Sequence, residues 1–96
     1  MPKVKNVERR IWDVEGFDVA FHQNGKDVHG AKEGIPQYSY SKAAKNDMTV
    51  NEWKLGRFAK SYPGYDVVVY DGNGNAVPGQ TKISTVRDTY LEDDEG

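Results

Sequence analysis

His22 and His29 are the only histidines in a chain of 96 residues without cysteine. Acid–base chemistry or metal ligation near neutral pH would rest on these two imidazoles and on fifteen carboxylates. Asn24-Gly25 lies between the histidines and tolerates the positive φ values of a type I′ hairpin turn. That turn pairs Gln23 with Lys26 and sets His22 against Asp27, so the imidazoles fall one place out of register. No third ligand stands at helical spacing to complete a metal site. Solvent-facing strand histidines are the expectation.

Asp71-x-Asn73-x-Asn75 opens like an EF-hand loop, but that loop needs Gly at its sixth position and a bidentate Glu at its twelfth. Ala76 and Lys82 stand there, which favours a plain hairpin turn. No metal and no cofactor are expected. The serines and threonines fall in no nucleophile-elbow, zincin or P-loop setting, so no catalytic residue is assigned. A small ribonuclease-like enzyme using Arg9, Arg10 and His22 is the remaining catalytic alternative, with nothing that places the three together.

Binding chemistry has more to stand on. Net charge is −2, yet it is segregated: residues 1–12 carry +3, 13–41 carry −3, 42–62 carry +3 and 63–96 carry −5. The overall balance argues against nucleic-acid binding over the whole surface, while two basic segments offer local patches. Trp53 stands among Lys54, Arg57 and Lys60, and Arg9 and Arg10 lie in the first basic segment. On a regular helix Trp53 falls on the far side from the core, beside that basic row. An aromatic anchor flanked by cations suits a protein interface or a stacked single strand. The competing placement puts Trp53 in the core under a second layer.

The elements that must position these residues read as follows. Val4 to Trp12 is β-branched and reads as a strand. Phe17 to Gln23 alternates apolar and polar, with Phe17, Val19 and Phe21 on one face, and turns at Asn24-Gly25 into residues 26–29. Tyr38-Ser39-Tyr40 reads as a short edge strand, with a helical turn over 41–45. Thr49 and Glu52 have capping-box spacing and start a helix that Pro63 and Gly64 stop after Tyr62. Leu55, Phe58, Ala59 and Tyr62 form its core stripe. Tyr65 to Tyr70 reads as a central strand, and Thr81 to Tyr90 as a last one. The Lys42–Lys45 segment followed by the helix bears a passing resemblance to a helix-turn-helix.

The expected fold is α+β, an antiparallel sheet of four to five strands with one main helix at about 49–62, in the order β-β-(β)-α-β-β. Residues 1–91 form one domain and 92–96 an acidic tail expected to be disordered. The expected function is non-catalytic protein–protein interaction through Trp53, Lys54, Arg57, Lys60, Arg9 and Arg10. Small domains of this type are common among accessory and inhibitory proteins of phages and mobile elements. Nucleic-acid binding through the basic helix face and N-terminal segment is the alternative. The chain is expected to be a cytoplasmic monomer or homodimer without a membrane partner, since no apolar run is long enough to span a bilayer.

Overall fold

The computed structural model describes residues 3–91; the acidic tail lies outside that range. Its elements are helix α1 (Val4–Glu15), strands β1 (Asp18–Gln23) and β2 (Lys26–Asp27), and a continuous helix in three parts. That helix is α2 (Val50–Trp53), a π-helical turn (Lys54–Phe58) and α3 (Ala59–Ser61). Strand β3 (Asp66–Tyr70) and helix α4 (Ile83–Leu91) follow. The architecture is α+β, with a three-stranded antiparallel sheet in the order β2-β1-β3. Among the described residues the four to five strands expected from sequence reduce to three, and β1 rather than β3 is central.

Both ends of the chain overturn the strand expectation. Val4, Val7, Ile11 and Glu15 are the buried residues of α1, spaced by three and four. That interval keeps all four on one face of a helix, whereas in a strand it would put Val4 on the face opposite Val7, Ile11 and Glu15. Gly16 ends α1 in the left-handed region at φ 83°, its N–H donating to Trp12 O at 2.9 Å. In α4 the same interval buries Ile83 and Val86 and partly buries Tyr90. Thr89 Oγ1 donates to Val86 O at 2.6 Å, so a residue counted as a strand former is satisfied inside a helix.

The β1–β2 hairpin has the expected register, His22 opposite Asp27 and Gln23 opposite Lys26, with Asn24 and Gly25 at φ 56° and 79°. β1 pairs β3 from Asp18–Tyr70 to His22–Asp66. The outer edge of β3 is covered where Val77 N–H donates to Val69 O at 2.9 Å. Residues 38–40 and 41–45 form neither the strand nor the helical turn expected of them, which removes the helix-turn-helix resemblance. In the 71–75 turn, Asp71 Oδ1 accepts from the N–H groups of Asn73 (2.9 Å) and Asn75 (3.0 Å). Gly72 lets this turn meet α4 closely, since a Cβ there would lie 2.4 Å from Thr89 O.

The capping box forms as expected: Glu52 N–H donates to Thr49 Oγ1 at 3.2 Å and Thr49 N–H to Glu52 Oε1 at 2.8 Å. Thr49→Ala should destabilise by about 1 kcal/mol in urea unfolding. No change would mean the helix start is held by Val50 N–H donating to Thr81 O instead.

The π turn changes which face is buried. Five residues per hydrogen-bonded turn bring Trp53 and Phe58 onto the same side. Trp53 is fully buried, Phe58 and Tyr62 nearly so, and Leu55 is 73% exposed with Ala59 exposed beside it. Trp53 is therefore corrected from outer anchor to core, and Leu55 and Ala59 from core to surface. Trp53 meets Phe17 edge-on at 5.1 Å, while Phe21 packs on Phe58 at 4.9 Å and Tyr62 at 5.0 Å. Aromatic edge-to-face contacts thus join the sheet to the helix.

The Tyr62 hydroxyl is buried without a hydrogen-bond partner among the described residues, and burial pushes its pKa upward. Tyr62→Phe should leave stability unchanged or raise it by up to about 1 kcal/mol, because the lost hydroxyl is desolvated and unpaired. A measured loss on urea unfolding would contradict that account.

Candidate binding surface

One carboxylate organises the interior. Glu15, at the end of α1, is only 1% exposed. Its Oε2 accepts from Tyr38 OH at 2.6 Å and from Arg57 Nη1 at 2.7 Å. Its Oε1 accepts from Ala44 N–H at 2.8 Å, with Arg87 Nη2 at 3.4 Å. Arg87 also donates to Glu15 O at 2.7 Å and Ala44 O at 2.9 Å. Trp53 Nε1 donates to Tyr38 OH at 3.2 Å. A buried charge persists only when paired and hydrogen-bonded, and here two guanidiniums, a phenol and a backbone amide share the task.

Titration follows from this packing. Burial, then the hydrogen bond and charge of Glu15, push the Tyr38 phenol well above its usual range. Burial opposes the charge on Arg57, but the Tyr38 hydrogen bond and the Glu15 carboxylate outweigh it and raise the pKa. Arg87 is lowered by burial and by Arg57, with Glu15 acting against both. This cluster ties α1, the 38–44 loop, the π turn and α4 together, and its groups are turned inward.

The expected row Trp53–Lys54–Arg57–Lys60 is thereby split. Trp53 is core, and Arg57 is committed to Glu15 and to Lys42 O at 2.6 Å while lying 4.4 Å over the Tyr40 ring. Lys60 is exposed and Lys54 half-buried. Arg9 and Arg10 are both exposed on α1, where Arg9 pairs weakly with Asp13 at 3.5 Å. His22 Nε2 is buried without a partner among the described residues, and His29 Nδ1 accepts from Ala31 N–H at 3.1 Å.

The structure adds a surface feature that sequence reasoning missed. An open groove of about 470 Å³ runs between α1 and β1, lined by Lys5, Glu8, Arg9, Trp12, Asp18 and Val19. Two short bonds define its strand side. Phe21 N–H donates to Glu8 Oε2 at 2.9 Å and Phe21 O accepts from Val28 N–H at 2.8 Å, so Phe21 points its backbone away from β3. By the alternation of an antiparallel ladder, Val19 points its N–H and C=O the same way. β2 is only two residues long and pairs β1 only at His22 and Gln23, so it ends before Val19. Among the described residues, the N–H and C=O of Val19 thus have no strand partner on this side, and they face the groove. Trp12 forms the far wall, held edge-on against Tyr90 at 5.1 Å.

Burial lifts the Glu8 carboxyl above its usual range; the Phe21 N–H opposes this, Asp27 and Asp18 add to it, and His22 lowers it. A folded-state pKa above the unfolded one means the native state holds the proton more tightly. The stability this gives is present below the unfolded value of about 4.3 and is lost as pH rises through the folded value. Glu8→Gln keeps an oxygen for Phe21 and removes that loss. Its melting temperature relative to the parent should therefore rise between acid and neutral pH; a constant difference would contradict the burial of this carboxyl.

Among the described residues no helix is long and apolar enough to cross a membrane. Compared with known families, curated proteins and solved structures, the chain matches none.

Proposed function

We propose that this chain is a non-catalytic binding domain whose groove between α1 and the open edge of β1 takes an extended segment of another protein. The observation that carries this reading is the backbone of Val19, turned into a groove walled by Lys5, Arg9 and Trp12. A strand edge wants hydrogen-bond partners, and an added strand supplies them regardless of its sequence. Selectivity then comes from the walls: carboxylates on the segment for Lys5 and Arg9, and an apolar side chain over Trp12. A domain that covers a partner's segment without transforming it acts as an inhibitor or accessory, by blocking.

Glu8 and Asp18 in the groove, with Asp13 beside Arg9, work against a phosphate backbone following the same path. Lys5, Arg9 and Arg10 still make nucleic acid the competing occupant.

The test is fluorescence anisotropy with a labelled peptide alternating Glu and Val, and with mixed-sequence single-stranded RNA, at about 50 and 200 mM salt. The peptide should bind, and a Lys5→Glu, Arg9→Glu double variant should weaken it by roughly tenfold or more. RNA binding that falls by orders of magnitude with salt, with no peptide binding, would replace this reading with the nucleic-acid one.

A further inference from the structure

We infer that the outer face of the Val50–Ser61 helix is a self-association surface, docking antiparallel against the same face of a second copy of this chain. The face is made of Asn51, Glu52, Leu55, Gly56, Ala59 and Lys60, all exposed. Leu55 is 73% exposed, more than any other large hydrophobic side chain among the described residues. No described residue of its own chain covers it.

Among the described residues, nothing in the fold requires glycine at Gly56 beside it. It lies inside a helix, where glycine is about 1 kcal/mol less favourable than alanine. A Cβ at Gly56 would meet nothing within 4 Å, and its φ is not in the left-handed region. Neither crowding from within nor backbone conformation therefore requires glycine there. A neighbour approaching from outside does have a use for it, because a missing side chain lets a second backbone come close and gives a leucine a place to sit. Ala59 extends that shallow floor. The π turn is what turns this stretch outward, by placing Trp53 and Phe58 on the inner side together.

Charge selects the occupant. Glu52 and Lys60 stand four residues before and four after Gly56. A two-fold axis through Gly56 with the helices antiparallel puts Glu52 of each copy opposite Lys60 of the other, and both pairs form at once. An isologous interface needs such self-complementarity, whereas a parallel arrangement would set like charges together. Glu52 uses Oε1 for the Thr49 cap, which leaves Oε2 for the partner's lysine. This surface shares no residue with the α1 groove, so the two readings stand or fall separately.

The experiment is analytical ultracentrifugation of the full chain from about 10 µM to ~1 mM. A reversible monomer–dimer equilibrium is expected. Leu55→Asp should abolish it while leaving the circular dichroism spectrum and dilute-solution melting unchanged. Lys60→Glu should weaken dimerisation roughly tenfold, because it sets carboxylate against carboxylate twice. Adding Glu52→Lys to Lys60→Glu should restore the dimer, since the exchanged charges again face their opposites. Melting of each variant measured as dilute monomer separates loss of the Thr49 cap from loss of the interface. A parent chain that stays monomeric throughout, an unaffected Leu55→Asp variant, or a double variant no better than Lys60→Glu would each overturn the inference.

Discussion

Glu15→Ala is expected to destabilise the fold by about 3–5 kcal/mol, because it removes one partner of a buried charge cluster and leaves the others in place. Arg57 and Arg87 would keep their guanidiniums at side-chain exposures of only 19% and 20% with no carboxylate between them. Tyr38 OH and Ala44 N–H would lose acceptors at 2.6 and 2.8 Å. Domains of this kind are stable by roughly 5–15 kcal/mol in all, so the variant should lose much of its urea midpoint. Glu15→Gln should fall between parent and Glu15→Ala, since the amide oxygen can still accept but carries no charge. A Glu15→Ala loss below about 1 kcal/mol would mean that water reaches both arginines and the cluster is a surface network.

Trp53→Ala should cost about 3–5 kcal/mol, the range for truncating a large aromatic in a packed core. The ring is fully buried, meets Phe17 at 5.1 Å and Phe58 at 5.9 Å, and donates to Tyr38 OH. Loss of this side chain therefore opens a cavity and also frees the phenol that supports Glu15. The contrast with Leu55→Ala is the sharper test, because a surface substitution should stay within about 0.5 kcal/mol in dilute solution. On a regular helix the order would be reversed, with Leu55 inside and Trp53 outside. Thermal melting of the two variants side by side decides between the faces.

What the sequence made legible was local. Asn24-Gly25 determines its turn and register through two φ angles, and Thr49 with Glu52 determines a helix start through bonds spanning three residues. The alternation at Phe17, Val19 and Phe21 identifies the inner face of β1, and all three are buried. The two end helices read as strands because valine, isoleucine and threonine carry strand preference while their spacing is helical, and in the fold the spacing prevails. Val4, Val7 and Ile11 already show the intervals of a helix face, so this signal was available.

The π turn was less accessible. It hinges on one extra residue per turn between Trp53 and Phe58, and that shift exchanges Trp53 for Leu55 at the surface. The Glu15 cluster draws on residues 23, 29, 42 and 72 positions away. No pattern of nearby residues announces it, although Glu15 does continue the apolar interval of α1. The groove depends on where α1 lies against β1 and on β2 ending early, so Lys5, Glu8, Trp12 and Val19 come together only in the fold.

The backbone of Val19 is where the proposed function can be tested most directly. In a ¹⁵N-labelled sample titrated with the alternating Glu–Val peptide, the Val19 amide should shift strongly and become protected from hydrogen exchange, as an N–H does on joining a ladder. The indole resonance of Trp12 should move with it. Saturating peptide that leaves the Val19 amide exchanging as before would contradict strand addition at this edge.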